Sequence, residues 1–135
     1  MKYKVIVPNW TSGLNELLNH QEKRWDARLK RYRVYNPEKV KNEKLIRQCL
    51  TKQNMANVRI DKPVAIHYMI YAKDKKHDRQ NLGSCLEKCF ADALQTMKII
   101  PNDSWDWIVK NTFDYDIDRN NPRAEITITE LERSR

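Results

Sequence analysis

No run of apolar residues in this chain approaches the ~18 needed for a membrane span, so none is expected. The opening MKYKVIVPNW is too short in apolar length for a signal peptide. Cysteine is scarce, with three residues and no paired C-x-x-C spacing. An odd, unpaired set argues against a disulfide scaffold or a structural zinc, and a reducing cytoplasm is the simplest compartment. Cys85 and Cys89 stand four apart on an expected helix and read as buried thiols. Acidic residues are scarce in the first half only: residues 1–62 hold 15 Lys+Arg against 6 Asp+Glu, and residues 63–135 hold 11 against 12. The net charge of +8 therefore resides in the first half. A basic region of that kind attracts phosphate backbones through counterion release without reading sequence; its ordinary alternative is a solvated basic surface.

At 135 residues, 40% hydrophobic and 33% charged, the chain is expected to be one globular domain with a real core. YKVIVP (3–8) reads as a strand ended by Pro8. The stretch QEKRWDARLKRYRVY (21–35) interleaves Arg and Lys with Trp25, Tyr32 and Tyr35, and is expected to be irregular. Its aromatics either stack on nucleic-acid bases or pack under a basic helix face. The whole basic segment 9–36 is expected to be mobile without its ligand. From Pro37 the pattern Val40, Leu45, Ile46, Cys49, Leu50 indicates an amphipathic helix with Pro at its start. KPVAIHYMIYAK is the strongest strand, apolar on both faces as a central strand requires. His67 within it reads as a packed or hydrogen-bonded sheet histidine. The clearest helix follows, with Leu82, Cys85, Leu86, Cys89, Phe90, Ala93, Leu94 and Met97 at steps of three and four, stopped by Pro101. WIVKNTFDY and AEITITEL are two further strands, expected to pair as a C-terminal hairpin around NNPR. The fold class that follows is α+β: a small mixed sheet packed against two main helices.

The acids sit in basic surroundings, most clearly in KDKKHDRQNL (73–82). On a helical wheel, Asn81, Lys88 and Asp92 share one flank at about 240–280° from Leu82. Asp78 precedes the helix and Asp103 lies in the loop after it. Oxygen donors of this kind suit Mg²⁺, which takes one or two carboxylates with water and substrate phosphate. A nearby lysine holds or stabilises the phosphate. Each acid also has an ordinary reading: Asp78 as an N-cap, Lys88 and Asp92 as an i,i+4 surface pair, Asp103 as a turn residue. An unbroken helix separates Asp78 from Asp92 by ~21 Å, too far to share one ion within a chain. Asp103 reaches Asp78 only if residues 98–103 run back along the helix; otherwise a second subunit supplies it. DYDIDRNNPRAE places Asp114, Asp116, Asp118 and Glu125 at EF-hand ligand positions, but Arg119 stands where the turn needs glycine. A charged hairpin tip is the better account.

HDRQNL, LEKCFADAL, IIPNDSW and RAEITITEL, in that order, resemble the RusA-type Holliday-junction resolvases, which are phage-associated endonucleases. The likeness covers about residues 60–131, with an echo at Pro8-Asn9-Trp10. It implies a RusA-like fold and a homodimer that makes paired, Mg²⁺-dependent nicks in four-way DNA junctions, Mn²⁺ substituting for Mg²⁺. It further implies Asp78 and Asp103 as metal-site and catalytic aspartates, Lys88 as the catalytic lysine, Asn81 as the helix-opening asparagine, and Asp92 as a further acid of the motif. Gln80 stands where the family has a second aspartate, and Asn102 where it has the first of the loop pair. Glutamine ligates through its carbonyl oxygen but brings no charge, so metal affinity is expected to fall. Asp74 or His77 could make up that charge.

The leading expectation is thus a structure-selective endodeoxyribonuclease in the cytoplasm of a bacterial or phage-infected cell. The cations expected to meet branched DNA are Lys23, Arg24, Arg28, Lys30, Arg31, Arg33, Lys75, Lys76 and Arg79. The alternatives are a junction or duplex DNA-binding module that has lost cleavage through Gln80 and Asn102, and a basic accessory protein that recruits other proteins.

Overall fold

A computed structural model of the chain describes residues 1–10, 22–76, 78–102 and 104–132. Its elements are β1 (Lys2–Pro8), β2 (Glu22–Asp26), β3 (Arg31–Tyr35), α1 (Pro37–Lys52), β4 (Val64–Ala72), α2 (Arg79–Thr96), β5 (Ile108–Ile117) and β6 (Arg123–Glu130). The fold is α+β. A four-stranded mixed sheet runs β1-β6-β4-β5, and β2 and β3 form a separate two-stranded ribbon. β4 pairs in parallel with β5 and antiparallel with β6, which in turn pairs antiparallel with β1.

The alternation of β4 decides which face is covered. Val64, Ile66, Tyr68 and Ile70 are buried, together with Ala124, Ile126 and Ile128 of β6 and Val5 and Val7 of β1. α2 lays Leu82, Cys85, Leu86, Cys89, Phe90, Ala93 and Leu94 into the same core, and α1 adds Ile46, Cys49 and Leu50. Tyr68 meets Phe90 edge-on at 6.0 Å and stacks on Phe113 at 5.0 Å between ring centroids. All three cysteines are buried and unpaired. α1 begins at Pro37 behind an Asn36 cap whose side chain accepts from the Lys39 N–H. α2 ends earlier than Pro101 requires, because Lys98 adopts φ 59° directly after Met97.

The opposite face is half-exposed and polar. Lys4 pairs with Glu125 at 2.8 Å, and the Arg123 guanidinium lies 3.9 Å from the Tyr71 ring centroid while contacting Glu125 and Asp118. His67 is a hydrogen-bonded sheet histidine, with Nδ1 2.6 Å from Thr112 Oγ1 and Nε2 3.2 Å from Asp114 Oδ2.

Two expectations are corrected. β5 and β6 do not form a hairpin, because β4 lies between them. A strand apolar on both faces is best satisfied inside a sheet, and the 118–122 connection is long enough to cross its end, where the Asp118 N–H donates to the Ala72 carbonyl. The tip is held by Asp118, whose carboxylate accepts from Asn120 and Asn121 and bonds Arg123, which lowers its pKa. The second correction concerns 22–35, which is a regular ribbon. Its register sets Trp25 opposite Tyr32, Asp26 accepts from the Arg28 and Leu29 N–H groups, and Lys30 closes the turn at φ 51°. Of the 9–36 segment, residues 11–21 lie outside the described residues.

Gly83 faces β5 on the first turns of α2, where an added Cβ would meet the Tyr115 hydroxyl and the Phe113 ring. Gly83→Ala is therefore expected to lower stability by ~1–3 kcal/mol, despite the ~1 kcal/mol that alanine gains in helix propensity. Tyr115→Phe in that background recovers part of the loss. Urea unfolding of the two single variants and the double variant measures both effects.

Candidate functional site

The parallel pairing brings the C-terminal ends of β4 and β5 side by side, with Ala72 opposite Ile117. Residues 73–76 follow β4, and Asp78 stands at the start of α2. Asp78 is the N-cap of that helix: its backbone is extended at φ −70° and ψ 120°, and its Oδ1 accepts from the Gln80 N–H at 2.9 Å and the Asn81 N–H at 3.3 Å. The helix start is anchored from beneath by Trp10, a buried ring whose Nε1 donates to the Leu82 carbonyl at 3.3 Å. Between these elements lies a cleft of about 600 Å³ lined by Asp74, Lys75, Asp78, Arg79, Gln80, Tyr115 and Asp116 among others.

The cleft holds charges of both signs. Asp74 folds its own loop by accepting from the Lys76 N–H at 2.9 Å. The Arg79 guanidinium stands 6.0 Å from the Tyr115 ring centroid. Burial raises the Tyr115 pKa; Arg79 opposes that shift, and Asp78 and Glu87 add to it. Both capping bonds of Asp78 use Oδ1, so its Oδ2 has no hydrogen bond among the described residues. Asp78 is exposed, and Asp74 and Asp116 share the cleft with it. These are hard oxygen donors, and they fit a cation such as Mg²⁺ that keeps several waters and completes its shell with substrate phosphate. Among the described residues no three His, Cys, Asp or Glu side chains are grouped closely enough to hold a metal by themselves. The fit is thus to a cation shared with a ligand.

Five residues singled out from the sequence, Asp74, Lys75, Asp78, Arg79 and Gln80, meet in this cleft. Lys76 is exposed on the loop before it. Lys88 and Asp92 lie elsewhere. α2 is unbroken from Arg79 to Thr96, so Lys88 is ~15 Å and Asp92 ~21 Å along its axis from Asp78. Both line a second groove, of about 810 Å³, with Glu87, Trp105, Val109 and Asn111. There Asn111 donates to Glu87 at 3.0 Å, burial raises the Glu87 pKa, and Trp105 is 91% exposed. Asp92 Oδ2 is 3.9 Å from the Lys39 ammonium, a contact between the two helices. The separation of Asp78 from Asp92 expected for an unbroken helix is therefore the one found, and Lys88 is set apart from Asp78 by the same helix.

Asp103 and His77 lie outside the described residues. The chain neighbours of Asp103 are at the far end of the unit: the Ser104 N–H donates to Asn102 Oδ1, the Trp107 N–H donates to the Ser104 carbonyl, and the Trp107 carbonyl accepts from Val64 at the start of β4. Asp78 follows the other end of β4, ~26 Å away along the strand. A site joining the two ends of α2 takes one end from each of two subunits.

The cationic residues Lys23, Arg24, Arg28, Lys30 and Arg31 are exposed on the β2–β3 ribbon and its turn; the Arg33 side chain is outside the described residues. Sequence reasoning missed Tyr115 and Asp116 as cleft residues, and it read Asp116 as part of a hairpin tip. The available signal was the length and apolar content of β4, the mark of a strand inside a sheet, whose two edges pair with β6 and β5 and so set the end of β5 beside Asp78. Against known proteins, no family model matches the chain, and no curated sequence matches it significantly.

Asp78→Ala removes the cap and is expected to cost ~0.5–2 kcal/mol, whereas Asp78→Asn retains it. Denaturant midpoints of the two variants check this, and equal losses would show that the cap contributes nothing.

Proposed function

We propose that this chain is a divalent-cation-dependent endonuclease that nicks branched DNA, with four-way junctions as the substrate class, and that it works as a homodimer. The observation that carries the reading is the cleft at the α2 N-terminus, where Asp74, Asp78 and Asp116 stand beside Lys75 and Arg79. Such a site attracts a cation and a phosphate together, which phosphodiester hydrolysis requires. The substrate class comes from the resemblance of HDRQNL, IIPNDSW and RAEITITEL to the RusA-type resolvases, and from the exposed basic ribbon. A branched substrate is defined by geometry, so phosphate contacts suffice to select it.

The protein groups have separate tasks in this reading. The Asp78 Oδ2, with a carboxylate of Asp74 or Asp116, would hold Mg²⁺ or Mn²⁺. When bound, the ion supplies charge neutralisation and Lewis acidity at the scissile phosphate. Lys75 and Arg79 bind and orient that phosphate. Lys88 belongs to the far groove, so within one chain Lys75 and Arg79 are the cations that share the cleft with Asp78. A homodimer lets the loop after α2 of one protomer approach the Asp78 end of the other, and matches the two-fold symmetry of paired nicks. Under this reading the substrate would be met in the cytoplasm of a bacterial or phage-infected cell.

A second reading is a DNA-binding module without cleavage. It is favoured by the lack of a three-ligand group among the described residues and by the neutral Gln80 and Asn102.

With Mg²⁺, a synthetic four-way junction is expected to be nicked symmetrically in opposing strands. Asp78→Asn is expected to retain junction affinity within about twofold while losing at least 100-fold in nicking rate, the scale of a lost electrostatic catalytic group. Denaturing gels and gel-shift titrations read the two quantities. Tight binding with no cleavage across a Mg²⁺ and Mn²⁺ titration selects the module, and an unaltered rate in the variant removes the mechanism.

A further inference from the structure

The β2–β3 ribbon carries an exposed aromatic pair with no structural task in the core. Trp25 and Tyr32 are 58% and 68% exposed, although both are large apolar rings. They stand directly opposite each other in the register, with ring centroids 5.2 Å apart and planes inclined by 69°. The edge-on contact occupies one face of one ring, and the exposure of both residues leaves the remaining ring surface in solvent. Strand alternation puts Lys23 on the same side of the ribbon and Arg24 and Arg31 on the other. Arg28, Leu29 and Lys30 form the exposed tip. The one carboxylate near that tip, Asp26, accepts from the Arg28 and Leu29 N–H groups. Among the described elements, the two strands make their main contacts with each other. The ribbon is therefore a basic arm that displays two rings.

We infer that the Trp25–Tyr32 face is a stacking platform for DNA bases outside a duplex, such as those at a branch point or in a single strand. The charge selects the partner: Lys23 beside the rings, Arg28 and Lys30 at the tip, and Arg24 and Arg31 on the other side make the ribbon basic, which suits a polyanion and disfavours an ordinary apolar protein surface. The rings select the state of the polyanion. In duplex DNA the base faces are already stacked, and a groove presents only edges. An unpaired base offers a free π-face to an aromatic ring, with any sequence tolerated. The cations on the other side of the ribbon hold the backbone while the rings take the bases. This deepens the reading of the chain as a branched-DNA nuclease, resting on it only for the identity of the polymer.

The test uses the full chain in EDTA, so that cleavage plays no part. The probes are an oligonucleotide with 2-aminopurine in a single-stranded stretch, a four-way junction with 2-aminopurine at the branch, and a duplex of the same length. Wild-type protein should change the 2-aminopurine emission in the first two. Trp25→Ala with Tyr32→Ala should abolish that change and weaken single-strand binding by at least about tenfold. Duplex affinity should move by no more than about twofold. Trp25→Phe with Tyr32→Phe should keep the emission change, which separates stacking from collapse of the ribbon. Arg24→Ala with Arg31→Ala should weaken all three probes alike and flatten the salt dependence. In the variant carrying Trp25→Ala and Tyr32→Ala, equal losses on duplex and single strand, or an unchanged emission response, overturn the inference. Absence of nicking with Mg²⁺ bears on the endonuclease reading alone and leaves this outcome intact.

Discussion

Parallel pairing of β4 with β5 is the constraint from which both the core and the cleft follow. Parallel neighbours cannot be joined by a tight turn, so the chain must cross over, and α2 is that crossover. The crossover covers the apolar face of the sheet with Leu86, Phe90 and Leu94. It also leaves the end of β4, the end of β5 and the start of α2 at one edge. In open α/β arrangements that edge is where ligands bind. The cap at Asp78 and the anchor at Trp10 belong to the same constraint, since each fixes the start of the helix that the crossover demands.

The two ends of this unit differ in chemistry. At the Asp78 end, three carboxylates and two cations face one opening. At the other end, Lys88 and Asp92 share a groove with an exposed Trp105 and a half-buried Glu87 whose pKa is raised. Helix length keeps the two apart, and no side-chain rotamer bridges ~15–21 Å of axis. A function that needs both ends therefore needs two chains. A function that needs only the first is complete in one. That contrast separates a dimeric nuclease from a monomeric binding domain more sharply than any single side chain does.

The basic ribbon stands apart from both. It holds six of the 15 Lys and Arg of residues 1–62, and its two rings remain in water at a cost in exposed apolar surface. A folded core has no use for them there. Under the proposed reading, a polyanion with exposed planar groups would cover that surface.

The sequence by itself determined the α+β class, both long helices, the core strands and the cap at Asp78, because each rests on local periodicity or on one side chain bonding its own neighbours. The alternation of AEITITEL belongs to the same local code, whereas Gly83 answers to the close approach of β5. Tertiary structure alone decided which strands lie side by side. Two antiparallel strands joined by NNPR read locally as a hairpin, yet the need of β4 for a partner on each side inserted it between them. The same competition moved Tyr115 and Asp116 to the cleft, and the rigidity of an unbroken α2 carried Lys88 and Asp92 away from it. The ribbon at 22–35 escaped local reading because its alternation is cationic against aromatic, with almost no aliphatic residue to mark a buried face.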